Sequence, residues 1–127
     1  VSGDPSVELA LLVAAAADEK SASDVVILDV GPVLGICDLF VVATAANERQ
    51  VRAVVDHVEA RVAERFDRRP LAVEGADARR WVLIDYGEVV VHVFQQEERS
   101  TYRLERLYGD APRVAWEPAV SPPEPAG

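Results

Sequence analysis

The chain is short of the residues that build most recognisable active sites. Cys37 is its only cysteine, which excludes an intrachain disulfide and a cysteine cluster for zinc and leaves a reducing cytosol compatible. No apolar run approaches the ~20 residues of a bilayer span, so a soluble protein with no membrane association is expected. The opening Val1-Ser2-Gly3-Asp4-Pro5 lacks the basic region of a signal peptide, and a cytoplasmic location follows as the expectation. Lys20 is the only lysine among thirteen basic residues, a skew toward Arg, Ala and Val that reads as codon bias rather than mechanism. Gly31, Gly35, Gly75 and Gly87 never fall at G-x-G-x-x-G or Walker spacing, so no phosphate cradle and no nucleotide cofactor are indicated.

What is present suits a single domain. At 127 residues and 50% hydrophobic composition, the chain can bury roughly two-thirds of its unfolded surface in one core. Its net charge of −9 repels phosphate, so little direct nucleic-acid binding is expected. The same excess keeps a protein soluble, and it also steers encounter with a basic protein surface.

Hydrophobic spacing sets the element order. Ser6 is placed to cap a helix from Val7 to about Asp18, with Leu9, Leu12, Val13 and Ala16 on one stripe. Val25 to Val30 and Leu39 to Thr44 are nearly continuous apolar runs, as in buried strands, and Gly31-Pro32 closes the first. Asn47 followed by Gln50 resembles a capping box, and Val51, Val54, Val55, Val58, Val62 and Phe66 then repeat at helical spacing. Leu71 to Glu74 is a brief strand. Arg99 to Tyr108 reads as a short closing helix stopped by Gly109, and five of the eight prolines lie from Pro112 onward. The expected domain therefore spans residues 1–111, with a Pro-rich, disordered tail over 112–127 in which Trp116 could pin the tail to the domain or to a partner. Short spacers between strands require antiparallel pairs, while the helix from 48 to 66 can serve as a crossover. The fold class is α/β (α+β) with a mixed sheet.

Two β-rich runs, Trp81 to Asp85 and Glu88 to Phe94, meet at one tight turn. With Tyr86-Gly87 as a two-residue loop, Asp85 faces Glu88, Leu83 faces Val90 and Trp81 faces His92. Alternation sorts Val82, Ile84, Val89, Val91 and Val93 onto a face that helices would cover. The opposite face carries Trp81, Leu83, Asp85, Glu88, Val90, His92 and Phe94. That mixture is too apolar for ordinary solvent and too polar for an ordinary core, so either another part of the chain or a partner meets it.

No catalytic constellation emerges. His92 shares a face with Asp85, but this register puts them ~13 Å apart along the strands, too far for a hydrogen-bonded acid–base pair. Cys37 with His57 or His92 lacks a helix start that would lower the thiol pKa. Asp24, Asp29 and Asp38 are better placed for caps and turns than for a metal. Trp, Tyr, Phe and Arg, the types enriched at interfaces, instead concentrate between Trp81 and Tyr108. A binding module explains this better than an enzyme.

The string Trp81-Val-Leu-Ile-Asp85-Tyr-Gly-Glu-Val-Val-Val-His92-Val-Phe94, followed by Arg99, Tyr102, Leu104 to Tyr108 and Asp110-Ala111, resembles the signature of the ribosomal silencing factor (Iojap-related) family. Asp24 to Val30, Asp38 to Thr44 and the helix beginning near Glu48 fit as well. Leu39, the turn Ala45-Ala46-Asn47, Gln50 and Tyr108 depart from the family pattern. The resemblance implies a mixed five-stranded sheet with helices mainly on one face, a nucleotidyltransferase-like core without that activity, and no cofactor or metal. It also implies a cytoplasmic factor that binds the large ribosomal subunit through ribosomal protein L-fourteen, blocks joining of the small subunit and represses translation under nutrient limitation. A divergent nucleotidyltransferase-like enzyme is the alternative. The partner-binding candidates are Trp81, Asp85, His92, Phe94, Arg99, Tyr102, Glu105 and Tyr108. A homodimer of the free protein is also expected, since two copies could shield the mixed face symmetrically.

Overall fold

The computed structural model describes residues 5–35, 37–97 and 111–116. The expected closing helix, with Arg99, Tyr102, Glu105 and Tyr108, lies outside the described residues, as does the tail over 117–127.

Helix α1 runs from Pro5 to Glu19 and turns Leu9, Ala10, Val13, Ala14, Ala16 and Ala17 inward. Ser6 is not its N-cap, because it already lies within the first described turn. Its hydroxyl instead donates to Asp38 Oδ2 at 2.9 Å, fastening α1 to the start of a central strand. Strand β1 (Ser23–Asp29) leads through a four-residue helical turn, α2 (Gly31–Leu34), to β2 (Leu39–Ala45), which is buried along its whole length. The short α2 has no helical periodicity to announce it. Gly35 closes it in the left-handed region, at φ 72°, with its N–H on the Gly31 carbonyl.

Helix α3 (Glu48–Phe66) matches its sequence signals at both ends. Asn47 Oδ1 accepts from the Gln50 N–H at 2.9 Å. The Gln50 amide oxygen accepts from the Ala46 N–H at 2.6 Å, while its nitrogen donates to the carbonyls of Lys20 and Ser21. One side chain thus ties the start of α3 to the end of α1. Val51, Val54, Val55, Val58 and Val62 are buried, each contributing ~1.5 kcal/mol or more by leaving water.

Strands β3 (Ala72–Glu74), β4 (Trp81–Asp85), β5 (Val89–Gln95) and β6 (Arg113–Val114) complete one six-stranded sheet of order β3-β4-β5-β2-β1-β6. Only β2 and β5 pair in parallel, and α3 lies in the crossover between them. Helices α1 and α3 pack on the face that carries Val82, Ile84, Val89, Val91 and Val93, as expected from the alternation. The sheet has six strands rather than five because β6 pairs with β1, Ile27 opposite Val114 and Leu28 opposite Arg113. The first residues of the expected tail therefore belong to the sheet. The Asp29 N–H donates to the Pro112 carbonyl at 2.8 Å, and Trp116 donates its indole N–H to the Val25 carbonyl at 2.9 Å.

Candidate docking face and its acidic end

The β4–β5 hairpin is shifted by two residues from its sequence-derived register. Asp85 pairs with Val90, Leu83 with His92 and Trp81 with Phe94. The turn is Gly87-Glu88 rather than Tyr86-Gly87, because Gly87 takes φ 96° and Asp85 Oδ1 accepts its N–H at 2.7 Å, while Tyr86 N–H donates to the Val89 carbonyl. A two-residue shift preserves parity, so the division into two faces is unchanged. Tyr86 joins the helix-covered face, where burial pushes its hydroxyl up to about 12.

The mixed face is a second, smaller core with an unfinished margin. Pairing with β2 adds Phe40 beside Val90 and Val42 beside His92, and Leu28, Val30, Cys37 and Ala111 complete the buried cluster. Phe94 is fully buried and His92 is 4% exposed. Both side chains therefore lie beneath the surface of this face. His92 packs edge-on against Phe40 with ring centroids 4.5 Å apart, and Trp81 lies 4.7 Å from Phe94. Trp81 donates its indole N–H to His92 Nδ1 at 3.1 Å, while burial pushes the imidazole down to about 4. The ring is neutral at physiological pH, and its one hydrogen bond runs to an indole rather than to Asp85. A general-base role has no geometry to support it.

Trp81, Leu83, Asp85 and Val90 remain half-buried, a strip running along β4 and the first residue pairs of β5. Beyond its Asp85 end, carboxylates gather. Asp38 and Leu39 both donate backbone N–H groups to the Glu88 carbonyl, which brings the start of β2 to the hairpin turn, and Asp29 pairs with Leu39. Asp29, Asp38, Asp85 and Glu88 thus stand at one end of the sheet. Arg68 answers one of them, donating to both Glu88 oxygens at 2.8 Å and to the Tyr86 carbonyl, and this hydrogen bonding holds the Glu88 carboxyl below its ordinary pKa. A depression of about 390 Å³ lies here, lined by Gly31, Gly35, Cys37, Asp38, Gly87 and Glu88. Burial, then Asp38, pushes the Cys37 thiol up, so it is a poor nucleophile. The sequence placed Asp85 and Glu88 together on the mixed face of the hairpin but gave Asp29 and Asp38 separate cap and turn roles. The parallel pairing of β2 with β5, across some fifty intervening residues, brings Asp29 and Asp38 to the hairpin carboxylates.

The fold, a mixed sheet with α1 and α3 on one face, is shared with known structures. A crystal structure of a Chromobacterium violaceum protein superposes with a TM-score of 0.79 at 28% identity, covering 98% of this chain and all of that one. The family model "Ribosomal silencing factor during starvation" matches residues 4–126. The chain belongs to that family. A ribosomal silencing factor of Halalkalibacterium halodurans is 42% identical over 114 residues, 90% of this chain and 97% of that protein. A mouse relative named for mitochondrial assembly of the ribosomal large subunit is 30% identical over 71% of this chain and 40% of its own length. Among the described residues of this silencing factor, no group of three His, Cys, Asp or Glu is placed to hold a metal ion, and no helix is long and apolar enough to cross a membrane.

Proposed function

We propose that this silencing factor docks on the large ribosomal subunit through the half-buried strip Trp81, Leu83, Asp85 and Val90 and the carboxylates beyond it. The partner is a basic ribosomal protein, L-fourteen by family resemblance. Occupying that surface prevents the small subunit from joining and so represses translation when nutrients are scarce, without turnover or cofactor. The observation that carries the reading is the juxtaposition of an incompletely covered apolar strip with Asp29, Asp38, Asp85 and Glu88 at one sheet end. Apolar area supplies affinity, and an acidic margin supplies steering toward basic protein and away from naked phosphate. His92 and Phe94 hold Trp81 in place from beneath, and a second copy of the chain, acting in the cytoplasm, would compete for the same strip.

Co-sedimentation with isolated large subunits, combined with light scattering during subunit joining, tests the proposal. The protein is expected to travel with large subunits and to slow joining in proportion to occupancy. A protein that does neither removes the reading, and nucleotide binding that depends on a divalent metal would replace it with the enzymatic alternative.

A further inference from the structure

We propose that the cleft between the first turns of α3 and the loop joining β3 to β4 is a phosphate site, and that its ligand is the phosphodiester backbone of RNA. The cleft has a volume of about 570 Å³ and is lined by Asn47, Glu48, Arg49, Arg52 and Arg79, three guanidinium groups against one carboxylate. Among the described residues Glu48 pairs with Arg79 alone, at 2.9 Å. Arg52 is 3.8 Å from Asp56, with both side chains about two-thirds exposed, a pair too solvated to neutralise it. Arg49 has no ion-pair partner among the described residues. Gln95 fixes the loop by donating to the Arg79 carbonyl at 2.8 Å, and the bond to Glu48 holds the Arg79 guanidinium at the start of the helix.

Shape and lining decide the form of the phosphate. A second depression of about 600 Å³ adjoins through Glu48 and carries Arg80, the amides of Gln95 and Gln96 and, at its margin, the carboxylate of Glu97. Neither depression is lined by an aromatic side chain on which a base could stack, and among the described residues no metal-holding group of carboxylates stands near for a nucleoside triphosphate. Backbone contact without base readout is what such a surface can make.

The overall charge of −9 argues against nucleic acid only as an average. Asp29, Asp38, Asp85 and Glu88 lie at the opposite ends of β2 and β5 from this cleft. Seven residues of strand separate the two ends by ~20 Å, more than two screening lengths of ~8 Å at physiological salt. The molecule therefore gathers Asp29, Asp38, Asp85 and Glu88, with Arg68, at one end of its sheet and Arg49, Arg52, Arg79 and Arg80, with Glu48 and Glu97, at the other. A ribosomal surface, where basic protein and RNA backbone lie side by side, presents both counterparts, and only this placement of the RNA rests on the proposed function.

Fluorescence anisotropy of the full chain with a labelled single-stranded RNA 12-mer, read across a salt series, tests the cleft. The double substitution Arg49→Gln with Arg52→Gln is expected to weaken binding tenfold or more and to flatten the salt slope by about 1.4, two phosphates' worth for a single strand. Arg65→Gln with Arg69→Gln, an equal charge change at the far end of α3, is expected to leave binding within twofold. Absence of RNA binding at low salt, equal losses in the two variants, or displacement of the RNA by stoichiometric inorganic pyrophosphate would each overturn the proposal. Co-sedimentation of the wild-type chain with large subunits separates the two readings. Subunit binding without cleft-dependent RNA binding discards the cleft alone, and the converse discards the ribosomal reading alone.

Discussion

Trp81 donates its indole N–H to Nδ1 of His92 at 3.1 Å, and Nε2 of the same ring is buried without a partner. Because Nδ1 accepts, the proton of the neutral ring resides on Nε2, so the orphan is a donor. Trp81→Phe would strip the remaining bond and cost ~1–3 kcal/mol. His92→Phe combined with Trp81→Phe removes both polar partners, and thermal unfolding of the double variant should lie above that of Trp81→Phe alone. A double variant that is the weaker of the two would show that packing, not polar satisfaction, governs this site.

The same histidine sets a pH dependence. Its folded pKa of about 4 lies below the ~6.5 of an unfolded chain, so between these values the unfolded state binds the extra proton. Stability is fully present above pH ~6.5 and falls as pH drops toward 4, by a total on the order of 3 kcal/mol. Glu88, lowered by its hydrogen bonds to Arg68, loses its contribution only as pH falls through the carboxylate range. Urea titrations at pH 7 and pH 5 should therefore differ in midpoint for the wild-type chain. The difference should shrink in the His92→Phe variant.

A methyl group at Gly75 would meet the Trp81 carbonyl oxygen at 2.1 Å, and the residue sits at φ 83°. Gly75→Ala therefore combines a backbone clash with a left-handed conformation, and should cost ~3 kcal/mol or detach β3 from β4. Chemical shifts of Ala72, Val73 and Glu74 would report the detachment. Unchanged shifts and stability would mean that the loop can re-form around a side chain.

Leu83 is half-buried on the open strip and pairs with His92. If the strip is the docking face, Leu83→Arg should lower affinity for large subunits at least tenfold, about 1.4 kcal/mol, while circular dichroism stays the same. Retained affinity in a folded variant would move the contact elsewhere. Trp81→Ala would be harder to interpret, since Trp81 also bonds His92 and packs on Phe94.

The two faces of the hairpin were legible because strand alternation survives a register error of two residues. The register itself was not, since Gly87 can serve as either residue of a two-residue turn and only the Asp85 side chain, closing on its N–H, selects one. Helix α3 was legible to both ends from Asn47, Gln50 and the valine repeat. Strand β6 was hidden because two residues inside a proline-rich segment carry no alternation. Whether the chain itself covers His92 and Phe94 stayed open in the sequence, because nothing local reveals that Phe40 and Val42 join them in one cluster. The arginine cleft escaped notice because Arg79 joins Arg49 and Arg52 only through the β3–β4 loop.

Strand β6 also fixes when the sheet can be finished. Its partner β1 begins at Ser23, and the hydrogen bond from Trp116 to Val25 spans 91 residues. During synthesis at ~5–20 residues per second, β1 is made early yet keeps one edge open until the chain has grown past Trp116. Long-range closures of this kind slow folding, so the growing polypeptide carries an unpaired strand edge from the completion of β1 until Arg113 to Trp116 have been made.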